Sequence, residues 1–269
     1  MPVSRMLRRF RRVVVLLTVA LLAIASFSVA AAQSGQPAGI TDEAHKMHDL
    51  WIFTLIIATI VFVGVEGAIL YCVFAFRKKG DALPAQTHGS TIIEVIWTTI
   101  PVVIVVALFS YAFIVLRDVE NKAAPEDLTV KVQGFQFQWG FTYDLNDLGT
   151  NTKDRNATGE ITILGTAAQI PTLVIPVGEK VEFALSSNDV IHSFYVRDFL
   201  YKLDVIPGRD NRFVVTARET GEFHAQCAEL CGLDHSLMRF TLKVVTREEF
   251  DKWISEQKVT NAAAVQKAQ

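Results

Sequence analysis

Residues 227–238 read Cys-Ala-Glu-Leu-Cys-Gly-Leu-Asp-His-Ser-Leu-Met, and this stretch determines how the C-terminal half of the chain is interpreted. Apolar and polar side chains alternate with a period of two at residues 241–244, just C-terminal to this stretch, and again near residues 129–132 and 180–183. That alternation is typical of half-buried strands, and clusters of Gly, Pro, Asn and Asp separate the alternating segments. The sequence therefore predicts an antiparallel β-sandwich in which residues 227–238 form a loop between two strands.

This loop concentrates soft metal-ligating side chains. Cys227, Cys231, His235 and Met238 lie within it, and a second imidazole, His192, follows a turn-like stretch and begins another predicted strand. Sulfur and imidazole nitrogen suit copper, whereas carboxylate oxygen is what magnesium and manganese prefer. A mononuclear blue-copper site needs only one thiolate, so the second cysteine favours a pair of copper ions bridged by both sulfurs.

In such a centre each copper takes one histidine, while Met238 and the backbone carbonyl of Glu229 fill weak outer positions. Two rigidly held metals change geometry little on oxidation, which suits a one-electron relay. Two other interpretations remain open. A Cys227–Cys231 disulfide is compatible with an oxidising compartment, although it leaves both histidines and Met238 without a role. A zinc site would use four ligands in a closed tetrahedron and has no role for methionine.

The N-terminal part of the chain is predicted to enter and span a membrane. An arginine-rich start, an apolar run at 13–29 and the small residues Ala30-Ala31-Ala32 indicate a secretory signal, although the run is also long enough for a retained helix. Residues 51–76 and 92–116 can each span a bilayer. Because the loop between them is rich in Arg and Lys, it is expected on the cytoplasmic side, with the rest of the mature chain outside.

These features divide the chain into five parts. They are a signal peptide (1–32), an extracytoplasmic N-terminal linker (33–48), a transmembrane helical hairpin (49–118), a β domain (125–246) and a C-terminal helix with its tail (247–269). The sequence thus predicts a cell-membrane protein that crosses the bilayer twice, in contact with lipid, and carries its β domain on the extracytoplasmic side.

The charge pattern narrows the choice of partners. The formal net charge is −2, which argues against a nucleic-acid partner. From Pro125 onward there are 20 Asp and Glu against 15 Lys and Arg, so the outer part is acidic and could attract a basic protein. An acidic surface with no partner is the alternative, and charge alone favours it. Two carboxylates, Glu66 and Glu94, interrupt the apolar helices and are expected to face protein or a water path.

Three stretches together resemble cytochrome c oxidase subunit II, and the resemblance covers nearly the whole mature chain. They are the loop 227–238, the strand and turn containing His192-Ser-Phe194 and Lys202–Arg209, and the helix start Glu94–Pro101. The resemblance implies a two-helix transmembrane hairpin followed by an all-β cupredoxin-like Greek-key sandwich. It also implies a respiratory subunit whose dinuclear copper (CuA) centre passes electrons from cytochrome c to haem in subunit I, where O2 is reduced to water with proton uptake.

Carried over position by position, the family pattern assigns roles to particular residues. The implied ligands of the two coppers are His192, Cys227, the Glu229 carbonyl, Cys231, His235 and Met238. The Glu229 side chain would reach a magnesium ion shared with subunit I, and Glu94 matches a carboxylate at the mouth of a proton path. No residue of this chain is expected to catalyse oxygen reduction, since haem lies only in the partner. Subunits I and III and a cytochrome c, or a cytochrome c domain, are the expected partners.

Two positions depart from the family pattern. Many members have tryptophan where this chain has Phe137, and that tryptophan is the usual point at which the electron enters. Phe137 and Trp139 are therefore both candidates for this role, and Trp139 could instead pack within the sandwich. Arg197 stands where a proline is common.

Two functions compete with an oxidase subunit. A membrane-tethered copper-binding or copper-delivery module would need an exposed, exchangeable site for one copper, whereas two bridging thiolates favour tight retention. A quinol oxidase subunit II keeps the fold and lacks the copper ligands, so the complete ligand set argues against it.

Overall fold

The computed structural model describes residues 36–78, 80, 88–120, 124, 127–145, 159–166 and 168–268. The predicted signal peptide (1–32) lies outside the described residues, and so does most of the segment that joins the two long helices. From Ala38 onward the chain forms one compact unit.

Two long apolar helices open this unit, α1 (Asp42–Ala75) and α2 (Thr91–Val119). Both are long and apolar enough to cross a membrane. They contact each other through side chains such as Phe53 and Tyr111, whose ring centroids are 5.2 Å apart. Most of their other large apolar side chains are exposed, as a surface facing lipid or other helices requires.

Helix α1 begins at Asp42, nine residues before the predicted position 51, because contacts with the β domain hold its first turn. Thr41 caps the helix, and its side-chain oxygen accepts a hydrogen bond of 3.0 Å from Ala44 N. Ile40 N donates to the Asp198 carbonyl at 2.9 Å, and the Ile40 carbonyl accepts from Arg218 N at 2.8 Å. Part of the predicted linker 33–48 is thus held by hydrogen bonds, and it connects the helical hairpin to the sandwich.

The β domain contains ten strands, arranged as two five-stranded sheets within the described residues. The strands are β1 (Leu128–Phe135), β2 (Gln138–Asp144), β3 (Glu160–Leu164), β4 (Thr172–Pro176), β5 (Lys180–Ser187), β6 (His192–Val196), β7 (Tyr201–Val205), β8 (Asn211–Thr216), β9 (Gly221–Cys227) and β10 (Arg239–Val245). The first sheet has the order β3-β2-β1-β5-β8 and the second β4-β10-β9-β6-β7. The predicted class, a two-helix hairpin followed by a β-sandwich, is confirmed.

The expectation of a purely antiparallel sandwich was wrong at two places. β1 pairs with β5 and β4 pairs with β10 in parallel, whereas the other six pairs are antiparallel. The chain leaves the first sheet after β3 to form β4 in the second, then returns as β5 beside β1 in the same direction. Connections that change sheet produce these pairs, and local alternation of side chains does not reveal them.

The core lies between the two sheets and is rich in aromatic rings. Phe194 and Phe240 are 4.8 Å apart between centroids, and Trp139 packs against both. Helix α3 (Arg247–Ala268) closes one side, where Trp253 lies 5.1 Å from the ring of Tyr143. This packing supports the strands that carry the loop 227–238.

Candidate metal centre

His192 is the first residue of β6, and its side chain is fully buried. Its Nε2 lies 2.9 Å from Asp189 Oδ1, and its Nδ1 lies 3.9 Å from Cys227 Sγ. A carboxylate can only accept, so Nε2 carries the proton and Nδ1 presents its lone pair toward the cysteine. Asp189 is itself held by the N–H groups of Gln136 at 2.7 Å and Val190 at 2.6 Å.

Backbone hydrogen bonds close the loop that carries the two cysteines. Cys227 N donates to the Met238 carbonyl at 2.9 Å, so the first and last positions of the loop form a β-type pair. Ala228 N donates to the Ser193 carbonyl at 3.0 Å, which ties the loop to the strand of His192. The loop is therefore anchored on β6, β9 and β10 together.

The side chains predicted from sequence converge at this point. The ligating atoms of His192, Cys227 and Cys231 all lie within 4.8 Å of one another. The remaining three predicted groups adjoin them: His235 Nδ1 is 3.6 Å and Met238 Sδ 3.8 Å from Cys231 Sγ, and the Glu229 carbonyl oxygen is 3.2 Å from Cys227 Sγ. The structure thus brings all six groups together, and their role as copper ligands stays a prediction.

The electrostatics of the two thiols favour a cation at this site. Burial alone would raise the pKa of Cys227, but hydrogen bonds with His192 and the Glu229 backbone outweigh it, and the pKa falls below its ordinary value. Burial, together with the neighbouring Cys227 thiolate, raises the pKa of Cys231. Both thiols can ionise together only if positive charge offsets their repulsion, and a bound metal supplies it.

The donor set fits a soft metal. It offers two thiol sulfurs, one thioether, two imidazole nitrogens and one carbonyl oxygen, and His192, Cys227, Cys231 and Met238 are all buried. Both cysteines are free thiols. A zinc ion could take the two cysteines and two histidines, but Met238, which has no exposed surface, would then serve only as packing. The site can hold a metal, and its soft donors fit copper.

Aromatic residues flank the centre on two sides. Trp139 is fully buried, with its ring centroid 6.1 Å from that of His192, so it packs within the sandwich on the core side. Phe137 is half-buried and lies against the loop, because a Cβ added to Gly232 would come within 2.8 Å of its ring. Of the two aromatic candidates, Phe137 is the one that covers the loop near the surface.

Two predicted carboxylates lie apart from the buried group. The Glu229 side chain is exposed at the surface of the loop, while its carbonyl faces Cys227. Glu94 lies in the first turn of α2 and is exposed. Its negative charge there is favourable to the helix dipole.

Three residues that shape the centre were not predicted from the sequence. Asp189 orients His192, and Gln136 Nε2 donates to the Cys231 carbonyl at 2.7 Å. Gly134 lies under the imidazole, since a Cβ there would be 3.0 Å from His192 Cδ2. The polar turn before His192 could have indicated Asp189. Nothing local in the sequence marks the other two.

The two helices are long enough to span a membrane, and the β-sandwich that follows them buries a group of histidine, cysteine and methionine side chains. This combination defines the class of membrane-anchored sandwich proteins with a candidate metal site. Known protein families show which family within this class the chain matches. The family model for "Cytochrome C oxidase subunit II, periplasmic domain" matches residues 128–245, and the model for the transmembrane domain of the same subunit matches residues 28–115. The chain belongs to the cytochrome c oxidase subunit II family.

Two relatives of known family agree with this assignment. A probable cytochrome c oxidase subunit 2 of Rickettsia bellii is 35% identical over 222 residues, covering 81% of this chain and 80% of the relative. One from Streptomyces coelicolor is 36% identical over 250 residues, covering 82% and 78%. Among solved structures, the periplasmic domain of subunit II of the Bradyrhizobium japonicum oxidase is 33% identical and covers 52% of this chain and 98% of that one, with a TM-score of 0.43.

Proposed function

We propose that this chain is the electron-accepting subunit of a respiratory cytochrome c oxidase and that its six convergent groups hold a dinuclear copper centre. When bound, the copper pair would accept one electron at a time from cytochrome c and deliver it to haem in subunit I, where O2 would be reduced to water. The observation that carries the proposal is the burial of two free thiols beside an imidazole, with a second imidazole and a thioether adjoining them. Family membership supports it.

The chain's own residues would keep this centre rigid. Asp189 fixes the orientation of His192, and the pKa of its carboxyl is about 2: burial opposes this low value, but hydrogen bonds from His192 and the Gln136 N–H outweigh it. It therefore remains ionised and able to accept at neutral pH. Because three strands hold the ligand loop, the donors have little freedom to move when the charge of the site changes.

The surroundings of the centre fit the same assignment. The basic residues Arg77 and Lys78 follow α1 directly, which supports a cytoplasmic loop and an extracytoplasmic β domain in the cell membrane. The exposed Glu229 side chain is available to a magnesium ion at a contact with subunit I. Exposed apolar side chains along both helices are available to lipid and to subunits I and III. A copper-delivery module is less well supported, because buried ligands favour retention over exchange.

Glu94 is proposed as the mouth of a proton path into subunit I. Its exposed position in the first turn of α2 places a carboxylate where it can exchange protons with water. Glu94→Gln in the assembled oxidase should slow proton uptake while copper content stays constant. Glu120→Gln, at the opposite end of the same helix, is the matched control. Turnover of Glu94→Gln equal to wild type across the pH range would refute this role.

The copper assignment is tested with one cysteine of the loop and one outside it. Cys227→Ser in the assembled oxidase should abolish the mixed-valence electron paramagnetic resonance signal of a copper pair and the oxidation of cytochrome c, while the hairpin still inserts. Cys72→Ser is the control, since Cys72 is exposed on α1 and free. Full activity of Cys227→Ser, or one metal per chain in the wild type, would overturn the assignment.

A further inference from the structure

A groove of about 610 Å³ lies on the outer face of the second sheet, away from the core. It is formed where side chains of β6, β9 and β10 point outward. The residues that matter to its chemistry are Ile170, Tyr195, Arg197, His224, Gln226 and Arg239.

Strand register arranges these side chains in rows. Tyr195 is paired with Lys202 on one side and Gln226 on the other, and Gln226 is paired with Arg239. Lys202, Tyr195, Gln226 and Arg239 therefore form one row across four adjacent strands. Of the two arginines, Arg197 directly follows β6 and Arg239 begins β10, two strands away, so about 10 Å of sheet separates the strands that carry these two cations.

The cations of this groove lack carboxylate partners within the described part of the chain. Arg212, Arg218 and Arg247 each form an ion pair, whereas neither Arg197 nor Arg239 has a described carboxylate within 4.0 Å. Arg239 Nε donates to the Ser236 carbonyl at 3.3 Å, which leaves its terminal nitrogens available. The groove is thus a basic surface on a domain with an acidic balance.

We propose that this basic groove docks an extended acidic segment of a neighbouring protein, whose carboxylates bind Arg197 and Arg239. An extended peptide places alternate side chains about 7 Å apart on one face, so two of its carboxylates can engage two cations whose strands lie about 10 Å apart. Guanidinium groups bind carboxylates through two parallel hydrogen bonds. Tyr195 and Gln226 line the same groove and offer a ring face and an amide to the peptide. Such docking requires neither a bound metal nor the proposed function.

The test uses the full chain in detergent and a fluorescein-labelled hexaglutamate peptide, with binding followed by anisotropy. Wild type should bind the peptide at low salt. Each exposed guanidinium–carboxylate pair contributes up to about fivefold in affinity, so Arg197→Ala with Arg239→Ala should weaken binding about tenfold. The control, Lys180→Ala with Arg209→Ala, removes the same charge from other exposed positions and should leave affinity near wild type.

Three outcomes would overturn the proposal. One is the absence of hexaglutamate binding at low salt. Another is an equal loss of affinity in both double variants, which would mean that only net charge matters. The third is displacement of the peptide by inorganic phosphate well beyond that caused by sodium chloride of equal ionic strength, which would indicate a small-anion site.

Discussion

Asp189 connects three separate parts of the centre through one carboxylate. It accepts hydrogen bonds from the His192 ring, from the backbone of Gln136 at the β1–β2 turn, and from Val190 beside it. Its side chain therefore determines both the tautomer of His192 and the position of the turn that covers the cysteine loop. Residues of this kind contribute to metal retention without touching the metal.

Asp189→Ala should lower copper affinity about 10- to 100-fold, because His192 loses the group that orients it. The measurement is copper retention by the full chain in competition with a chelator. Asp210→Ala is the matched control, since Asp210 is exposed and pairs only with the neighbouring Arg212 among the described residues. Equal retention by the two variants would show that His192 needs no such support.

Gly134 is predicted to be intolerant of a side chain for a similar reason. A Cβ at this position would lie 3.0–3.2 Å from three atoms of His192, so the imidazole must move away. Gly134→Ala should shift the visible spectrum of the copper-loaded protein and destabilise the domain by about 1–3 kcal/mol, the usual cost of overpacking. Gly64→Ala, where a Cβ meets nothing within 4 Å, should change neither property. An unshifted spectrum in Gly134→Ala would contradict the close packing.

Sequence patterns predicted those secondary-structure elements and loops whose signal lies within a short stretch of residues. Apolar runs predicted both long helices, and the residue types of the loop 227–238 predicted which of its side chains the structure gathers beside His192. The polar start of α1 was missed, because its helical state depends on the Thr41 cap and on contacts with β8. The parallel pairing of β1 with β5 and the contact between Gln136 and Asp189, 53 residues apart, depend on tertiary structure and leave no mark in a short window.

Strand β4 lies at the edge of the second sheet, and a side chain from the other sheet completes its hydrogen bonding. The Tyr143 hydroxyl donates to the Val174 carbonyl and accepts from the Val174 N–H, both at 2.9 Å. Burial raises the pKa of Tyr143 strongly, so the hydroxyl stays protonated and can play both roles. One side chain thus links β2, β4 and, through its ring, helix α3.

Tyr143→Phe should destabilise the domain by about 1–3 kcal/mol, because it leaves two buried backbone groups without a partner. For a domain of this size each kcal/mol corresponds to about 2–4 °C in the unfolding midpoint. The midpoint can be followed by tryptophan fluorescence of the full chain, since Trp139 is fully buried in the core and Trp253 of helix α3 packs against Tyr143. Tyr201→Phe, at a half-buried tyrosine, is the control, and an equal shift in both variants would argue against a special role for Val174.

At the scale of the whole molecule, the hairpin and the sandwich are tied directly to each other. Thr216 N donates to the Glu43 carboxylate at 3.0 Å, and Arg218 pairs with Asp42 in the first turn of α1. Lys46 and Asp118 link the outer ends of the two helices at 3.1 Å. These contacts tie the β domain to the ends of both membrane-length helices, so the buried histidine and cysteine group keeps a set position relative to the hairpin.

The surface around the ligand loop combines apolar and acidic side chains. Leu230, Leu233 and Leu237 are 78%, 91% and 62% exposed, and Glu229 and Asp234 beside them are exposed as well. Exposed leucines at this density indicate a contact surface rather than ordinary solvent exposure. An acidic rim would attract a basic electron donor over a distance, and the apolar centre would hold it once docked.

Raising the salt concentration from about 20 mM to about 200 mM shortens the screening length from about 20 Å to below 8 Å, so steering by the acidic rim should be largely lost. We expect the association rate of a basic cytochrome c, measured by stopped-flow, to fall at least about tenfold over this range. Asp234→Asn should lower the rate at low salt and flatten its salt dependence, whereas Asp210→Asn, which is exposed on the turn before β8, should do neither. Rates that do not change with salt would mean that the leucine surface alone selects the donor, and the acidic balance of the domain would then have no part in docking.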